Sequence, residues 1–164
     1  MIGFIGLGIH GRKKAISLIR AGHKLVVYDK MAKMDELLSM GAESAVSNKD
    51  VALRSNIIIT MLPNLLQLRE AILGTGGVIE GLKDGSIVIE MSSVSPDQSG
   101  SSEPAGSPAN DLPDSPAREL ARELADAVKA KNAVFLDGSP GNGGDRVVLE
   151  KLEPILSVLG IPAL

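Results

Sequence analysis

Met1-Ile-Gly-Phe-Ile-Gly-Leu-Gly-Ile-His-Gly11 opens the chain with an apolar strand, Ile2, Phe4 and Ile5, that runs directly into Gly6-x-Gly8-x-x-Gly11. Apolar residues at helical spacing follow (Ala15, Ile16, Leu18, Ile19), with Gly22 placed as a C-cap, and a second apolar run, Leu25 to Tyr28, ends in Asp29. Each glycine has a mechanical task. Gly6 permits the tight turn off the strand, Gly8 lets backbone approach a pyrophosphate, and Gly11 lets the helix pack close to the strand. The unpaired N–H groups of the first helical turn then face the phosphates. Asp29 stands about 20 residues downstream at the end of the second strand, where a carboxylate accepts hydrogen bonds from an adenine ribose. A glycine triplet alone fits an empty turn equally well. Strand, helix, second strand and acid together fit a dinucleotide site.

Beyond Asp29 the alternation continues. The run Met31 to Met40 has helical spacing (Met34, Leu37, Leu38) and stops at Gly41, and Ser47 is placed to cap a short helix with Asp50 three residues on. Ile57-Ile-Ile-Thr-Met-Leu62 is a β-branched run expected of a central parallel strand buried on both faces, and Pro63 ends it. Residues 64–73 predict a helix, Val78 to Leu82 a short helical segment, Lys83-Asp84-Gly85 a turn and Ser86 to Met91 the next strand. Residues 97–116 change character, being dominated by Ser, Pro, Gly and Asp, and read as a linker or mobile loop. Ser115 and Pro116 can start a helix over Ala117 to Lys131. Ala133 to Leu136 predicts a further strand, Gly138 to Gly144 a second loop, and Asp145 to Leu159 a last helix capped by Gly160. Strands alternating with helices in this way imply one α/β domain over residues 1–164, a doubly wound parallel sheet of the Rossmann type.

Composition narrows the chemistry. With 164 residues, 17 Lys and Arg against 20 Asp and Glu, and a formal net charge of -3, the chain carries no basic stripe for nucleic acid. Its aromatics are Phe4, Tyr28 and Phe135, too few for a stacking platform. No apolar run approaches the roughly 20 residues that span a bilayer, so a cytoplasmic protein is expected. Cysteine is absent, which removes disulfide and thiolate chemistry, and two distant histidines give no metal-ligand spacing.

Several motifs now coincide: Gly3-Phe-Ile-Gly-Leu-Gly-Ile-x-Gly11, Ala21-Gly-His23, Thr60-Met-Leu-Pro-Asn64, Gly76-Gly-Val-Ile-Glu-Gly81 and Met91-Ser-Ser-Val-x-Pro96. Together they resemble the N-terminal domain of the β-hydroxyacid dehydrogenases, the family of 3-hydroxyisobutyrate dehydrogenase and tartronate semialdehyde reductase. The resemblance is specific over residues 1–96 and weaker from 117 to 160. It implies a nicotinamide dinucleotide lying across the carboxyl edge of the sheet. Gly6, Gly8, Ile9, His10 and Gly11 would meet its pyrophosphate and nicotinamide side, and Asp29 and Lys30 its adenosine ribose. Leu62 and Pro63 would meet its middle, and Gln67 would border it. Ser92 and Ser93 match a Ser-Thr pair in which a hydroxyl touches the nicotinamide ribose. Strand termination is the simpler role for Leu62 and Pro63, and turn capping for Ser92 and Ser93.

Departures from the family pattern are as informative. Family members continue into a helical domain that supplies a catalytic lysine, and this chain ends before it, so no catalytic residue is assigned. The substrate loop is altered to Asp137-Gly-Ser-Pro-Gly-Asn-Gly-Gly144, and His10, Lys13 and Lys14 stand where the family places Met, Pro and Met. Such charges suit a surface that faces water in place of a partner domain, and the pattern reads as a truncated, engineered stand-alone domain. Lys13 and Lys14 could instead assist bound phosphate, and His10 could serve as an acid or base. Asp29 favours NAD because a carboxylate repels a 2′-phosphate, while Lys30 leaves NADP open. Three functions are therefore expected, in this order: a cofactor-binding module without turnover, a scaffold that has lost its cofactor, or a reductase of small hydroxy acids borrowing its lysine from a partner. Apolar surface left by the missing domain could support a homodimer.

Overall fold

A computed structural model describes residues 1–91, 116–137 and 146–159. In chain order the elements are β1 (Ile2–Ile5), α1 (Ile9–Arg20), β2 (Leu25–Tyr28), α2 (Asp35–Ser39), β3 (Glu43–Ser44), α3 (Asn48–Arg54) and β4 (Ile57–Thr60). They continue with α4 (Leu65–Leu73), α5 (Val78–Gly81), β5 (Ile87–Glu90), α6 (Pro116–Ala130), β6 (Val134–Asp137) and α7 (Arg146–Leu159). The strands pair in parallel in the order β3-β2-β1-β4-β5-β6. This is the doubly wound Rossmann order expected from the alternation of elements.

Strand residues alternate between two cores, which is why the strands are apolar throughout. Phe4, Leu25, Val27, Ile59, Ile89 and Leu136 pack with Ala15 and Leu18 of α1, Leu37 of α2 and Leu152, Ile155 and Leu156 of α7. Ile5, Val26, Ile58 and Val88 pack on the other face with Val51 and Ala52 of α3, Leu68 and Ile72 of α4, and Leu120, Leu124 and Val128 of α6. Phe4, Val26, Val27, Ile58, Ile59 and Val88 are all fully buried. β1 lies between β2 and β4, so the chain reverses its direction of travel across the sheet there. The crevice at the carboxyl end of such a reversal is where doubly wound folds place their ligands.

Two points of the sequence reading need adjustment. The helix predicted across Met31 to Met40 is confined to Asp35–Ser39. The amides of Met31 and Ala32 both donate to Asp29 Oδ1, at 2.7 Å each, which folds residues 29–32 into a side-chain-closed turn and delays the helix. β3 was not anticipated: both its residues are exposed, and it pairs only through Val26↔Glu43 and Val27↔Ser44 at the sheet edge. The last helix, expected over Asp145 to Leu159, is found as α7 with Pro154 within its span. Helix α3 starts as expected, with the Ser47 hydroxyl accepting from Asp50 N at 3.0 Å and the Asp50 carboxylate accepting from Val46 N at 3.1 Å. The linker expected at 97–116, apart from Pro116, the loop expected at 138–144 and the caps at Ser115 and Gly160 lie outside the described residues.

Candidate dinucleotide site

The turn from β1 to α1 is built by close approach. Gly6 adopts a φ of 95°, and a Cβ there would stand 2.1 Å from the Met61 carbonyl oxygen and 3.1 Å from Leu62 Cδ2. A Cβ on Gly11 would stand 2.0 Å from the Gly6 carbonyl oxygen, so α1 can sit this near β1 only with glycine at that position. Gly8 differs, because nothing lies within 4 Å of the place its Cβ would occupy. It is the N-cap of α1 but offers no side chain, and the first turn contains no acidic residue. The amides of that turn therefore open toward an unfilled space at the positive end of a twelve-residue helix, the arrangement that attracts phosphate. Ile9 is 77% exposed and His10 is exposed as well.

Asp29 closes the site from the β2 side. Besides the Met31 and Ala32 amides on Oδ1, its Oδ2 accepts from Leu7 N at 2.6 Å, which ties the end of β2 to the glycine loop. Burial raises the carboxyl pKa. The hydrogen bonds from Ala32, Leu7 and Met31 and the nearby Arg12 charge outweigh that effect and hold it below the ordinary value. Asp29 is thus a brace as well as the expected ribose acceptor. Lys30 extends the other way, its Nζ 3.6 Å from Glu70 Oε1 of α4 across the mouth of the crevice, with both side chains largely exposed.

The segment after β4 forms the opposite wall. Met61 N donates to the Ile5 carbonyl at 2.9 Å, carrying the strand pairing one residue further, and Leu62 packs over Gly6. Pro63 is exposed, and the Asn64 side chain caps α4 by accepting from Gln67 N at 2.8 Å, which leaves the Gln67 side chain on the exposed rim. Gly6, Gly8, Gly11, Asp29 and Leu62 are thereby brought together, with Ile9, His10, Lys30, Pro63 and Gln67 around them. Ser92 and Ser93 lie outside the described residues.

Two features escaped the sequence reading. Arg12 reaches the loop after β2, donating through Nη2 to the Lys33 carbonyl at 2.8 Å and lying 3.4 Å from Glu36 through Nη1. With Leu7, Gly8, Ile9, Lys13, Ile16 and Glu36 it lines an open cleft of about 520 Å³ beside the glycine loop. Only its place directly after Gly11 could have drawn attention to it. Lys14 serves neither phosphate nor solubility alone: its Nζ donates to the carbonyl of Leu159 at 2.5 Å, at the negative end of α7.

A parallel sheet in this order, a glycine turn opening an uncapped helix and an acid at the end of the second strand define a dinucleotide-binding domain of the Rossmann class. Residues 1–105 match the family described as the NAD binding domain of 6-phosphogluconate dehydrogenase, and the chain belongs to that family. It is 34% identical to 2-(hydroxymethyl)glutarate dehydrogenase of Eubacterium barkeri over 97% of this chain and 50% of that protein. Identity is also 34% to 2-hydroxy-3-oxopropionate reductase of Escherichia coli strain K12, over 97% of this chain and 52% of the reductase. Among solved structures, Mycobacterium tuberculosis 3-hydroxyisobutyrate dehydrogenase with L-serine superposes with a TM-score of 0.72 at 20% identity, covering 96% of this chain and 51% of the other. The chain spans about half the length of the curated relatives it matches. No helix among the described residues is long and apolar enough to cross a membrane.

Proposed function

We propose that residues 1–164 act as the nicotinamide-dinucleotide-binding unit of a hydroxyacid dehydrogenase-type protein, holding NAD or NADP without turning a substrate over by themselves. The observation that carries this is the first turn of α1, uncapped and facing the space that the absent Gly8 side chain leaves open. Gly6, Gly8, Ile9, His10 and Gly11 border the pyrophosphate and nicotinamide side, Asp29 and Lys30 the adenosine ribose, and Leu62, Pro63 and Gln67 the opposite wall. The family resemblance would add Ser92 and Ser93 at the nicotinamide end. When bound, the dinucleotide supplies the ring that carries hydride. The residues of this chain hold and orient it, and exclude water from one side.

The absence of turnover is inferred from what hydride transfer requires. Reduction of a carbonyl needs a group that delivers a proton to the oxygen, and the resemblance assigns that task to a lysine outside this segment. The two dehydrogenase and reductase relatives are about twice as long. Exposed apolar residues beside the crevice, Ile9, Met31 and Leu66, would also support self-association, which sedimentation of the purified chain would read.

Calorimetric titration with NADH and then NADPH is the direct test. Saturable binding is expected, and Gly8→Asp should abolish it while leaving the unfolding midpoint near that of the wild type. The new side chain would enter open space in the fold but would set a carboxylate against the pyrophosphate. No binding at millimolar cofactor would favour a scaffold instead. Steady oxidation of NADH with tartronate semialdehyde by the purified chain would favour a reductase that obtains its proton donor elsewhere.

A further inference from the structure

We infer that Arg12 is a cofactor-selecting residue that receives the 2′-phosphate of NADP at the adenosine end of the site, so that this chain prefers NADP to NAD despite Asp29. The inference rests on the dinucleotide reading above and adds the identity of the cofactor to it.

Asp29 is less of an obstacle to a phosphate than its position suggests. A carboxylate has about four acceptor positions, and three here are taken by the amides of Leu7, Met31 and Ala32. Among the described residues that leaves one position on Oδ2, enough for a single ribose hydroxyl. Its negative charge is turned toward those backbone dipoles and toward Arg12, so the field reaching a ligand is weakened.

Arg12 supplies what a phosphate needs. Its guanidinium is anchored on the Lys33 carbonyl at 2.8 Å, in the loop that Asp29 begins, and its side chain is 35% exposed. The Glu36 contact is long, at 3.4 Å, and Glu36 is half-exposed, so that pair is readily exchanged. A guanidinium has five N–H donors, and among the described residues two are engaged. The rest present the planar fork that matches phosphate oxygens. Lys30 and Lys33 of the same loop are exposed and add positive charge around the mouth. The cleft beside Arg12 is open to solvent and continuous with Gly8, so a dinucleotide seated on the glycine loop could extend its ribose toward Arg12.

The test is a comparison of NADPH and NADH by calorimetry, with adenosine 2′,5′-bisphosphate and AMP as probes of the adenosine end alone. Wild-type protein is expected to bind NADPH at least about tenfold more tightly than NADH, equivalent to about 1.4 kcal/mol. Adenosine 2′,5′-bisphosphate should exceed AMP in the same sense. Arg12→Ala should remove that advantage and leave NADH affinity within about twofold of wild type, a charge-assisted contact being lost only from the phosphorylated ligand. Glu36→Gln, which releases the guanidinium from its competing carboxylate, should tighten NADPH and leave NADH unchanged. Equal or tighter NADH binding by the wild type would overturn the inference. Equal weakening of both cofactors by Arg12→Ala would also overturn it, since that marks a structural brace. If the wild type bound neither dinucleotide, the underlying reading would fall and this one with it.

Discussion

Asp29 shows how one side chain can brace two loops at once. Its carboxylate closes the turn at 31–32 and ties Leu7 of the glycine loop to the end of β2. Asn at this position could still accept from Met31 and Ala32 but would turn an NH₂ toward the Leu7 amide. Asp29→Asn is therefore expected to cost about 1–3 kcal/mol in urea unfolding at neutral pH. The pH dependence has a defined sign. Because the folded pKa lies below the ordinary 3.8, the Asp29 contribution is complete above that value and is lost as pH falls through the lowered one. The Asn variant should lose this acid-side dependence in the same titration. At Gly11 the constraint is steric. Alanine would place a Cβ 2.0 Å from the Gly6 carbonyl oxygen, so Gly11→Ala should destabilise by about 1–3 kcal/mol and weaken cofactor binding as α1 moves off β1. The glycine spacing and the acid were legible in the sequence. The three amides that hold Asp29, and Arg12 beside it, were not, because their partners are set by how the loop after β2 closes on the loop after β1.

Helix boundaries and caps decide how the elements frame the crevice. α3 depends on Ser47, whose hydroxyl satisfies the Asp50 amide, and Ser47→Ala should cost about 1 kcal/mol by thermal or chemical unfolding. The cap was readable from Ser47 and Asp50 alone, since capping requires only residues three apart. The shortening of α2 was not, because the apolar spacing Met34, Leu37, Leu38 carries no record that Asp29 captures the amides at 31 and 32. Lys14 joins α1 to the carbonyl end of α7 over a sequence separation of 145 residues. Lys14→Met keeps most of the apolar stem and removes the ammonium. It should lower stability by about 0.5–1 kcal/mol, with increased hydrogen exchange concentrated at the end of α7. The charge pattern of α1, which taken alone resembles a wetted surface, is in part an interhelical contact.

For the whole molecule, cofactor binding and folding are linked. A ligand that binds only the native state stabilises it by about 2.7 kcal/mol at a hundred times its Kd, and for a chain of this size that raises the melting midpoint by about 5–10 °C. NADPH should produce the larger shift at equal concentration, and Gly8→Asp should show no shift with either cofactor. By itself the sequence determined the strands β1, β2, β4, β5 and β6, the glycine turn, the acid at the end of β2 and, through their alternation, the doubly wound sheet. These follow from local patterns, because burial on both faces demands continuous apolar residues and tight backbone approach demands glycine. Tertiary structure alone decided that β3, two exposed residues with no apolar signature, pairs at the edge of the sheet. It also decided that Asp29 is shared between two loops, that Lys30 faces Glu70, and that Arg12 reaches the loop after β2. Each of these joins residues distant in sequence, and their meeting depends on how the sheet and its crossovers close in space, which no local spacing encodes.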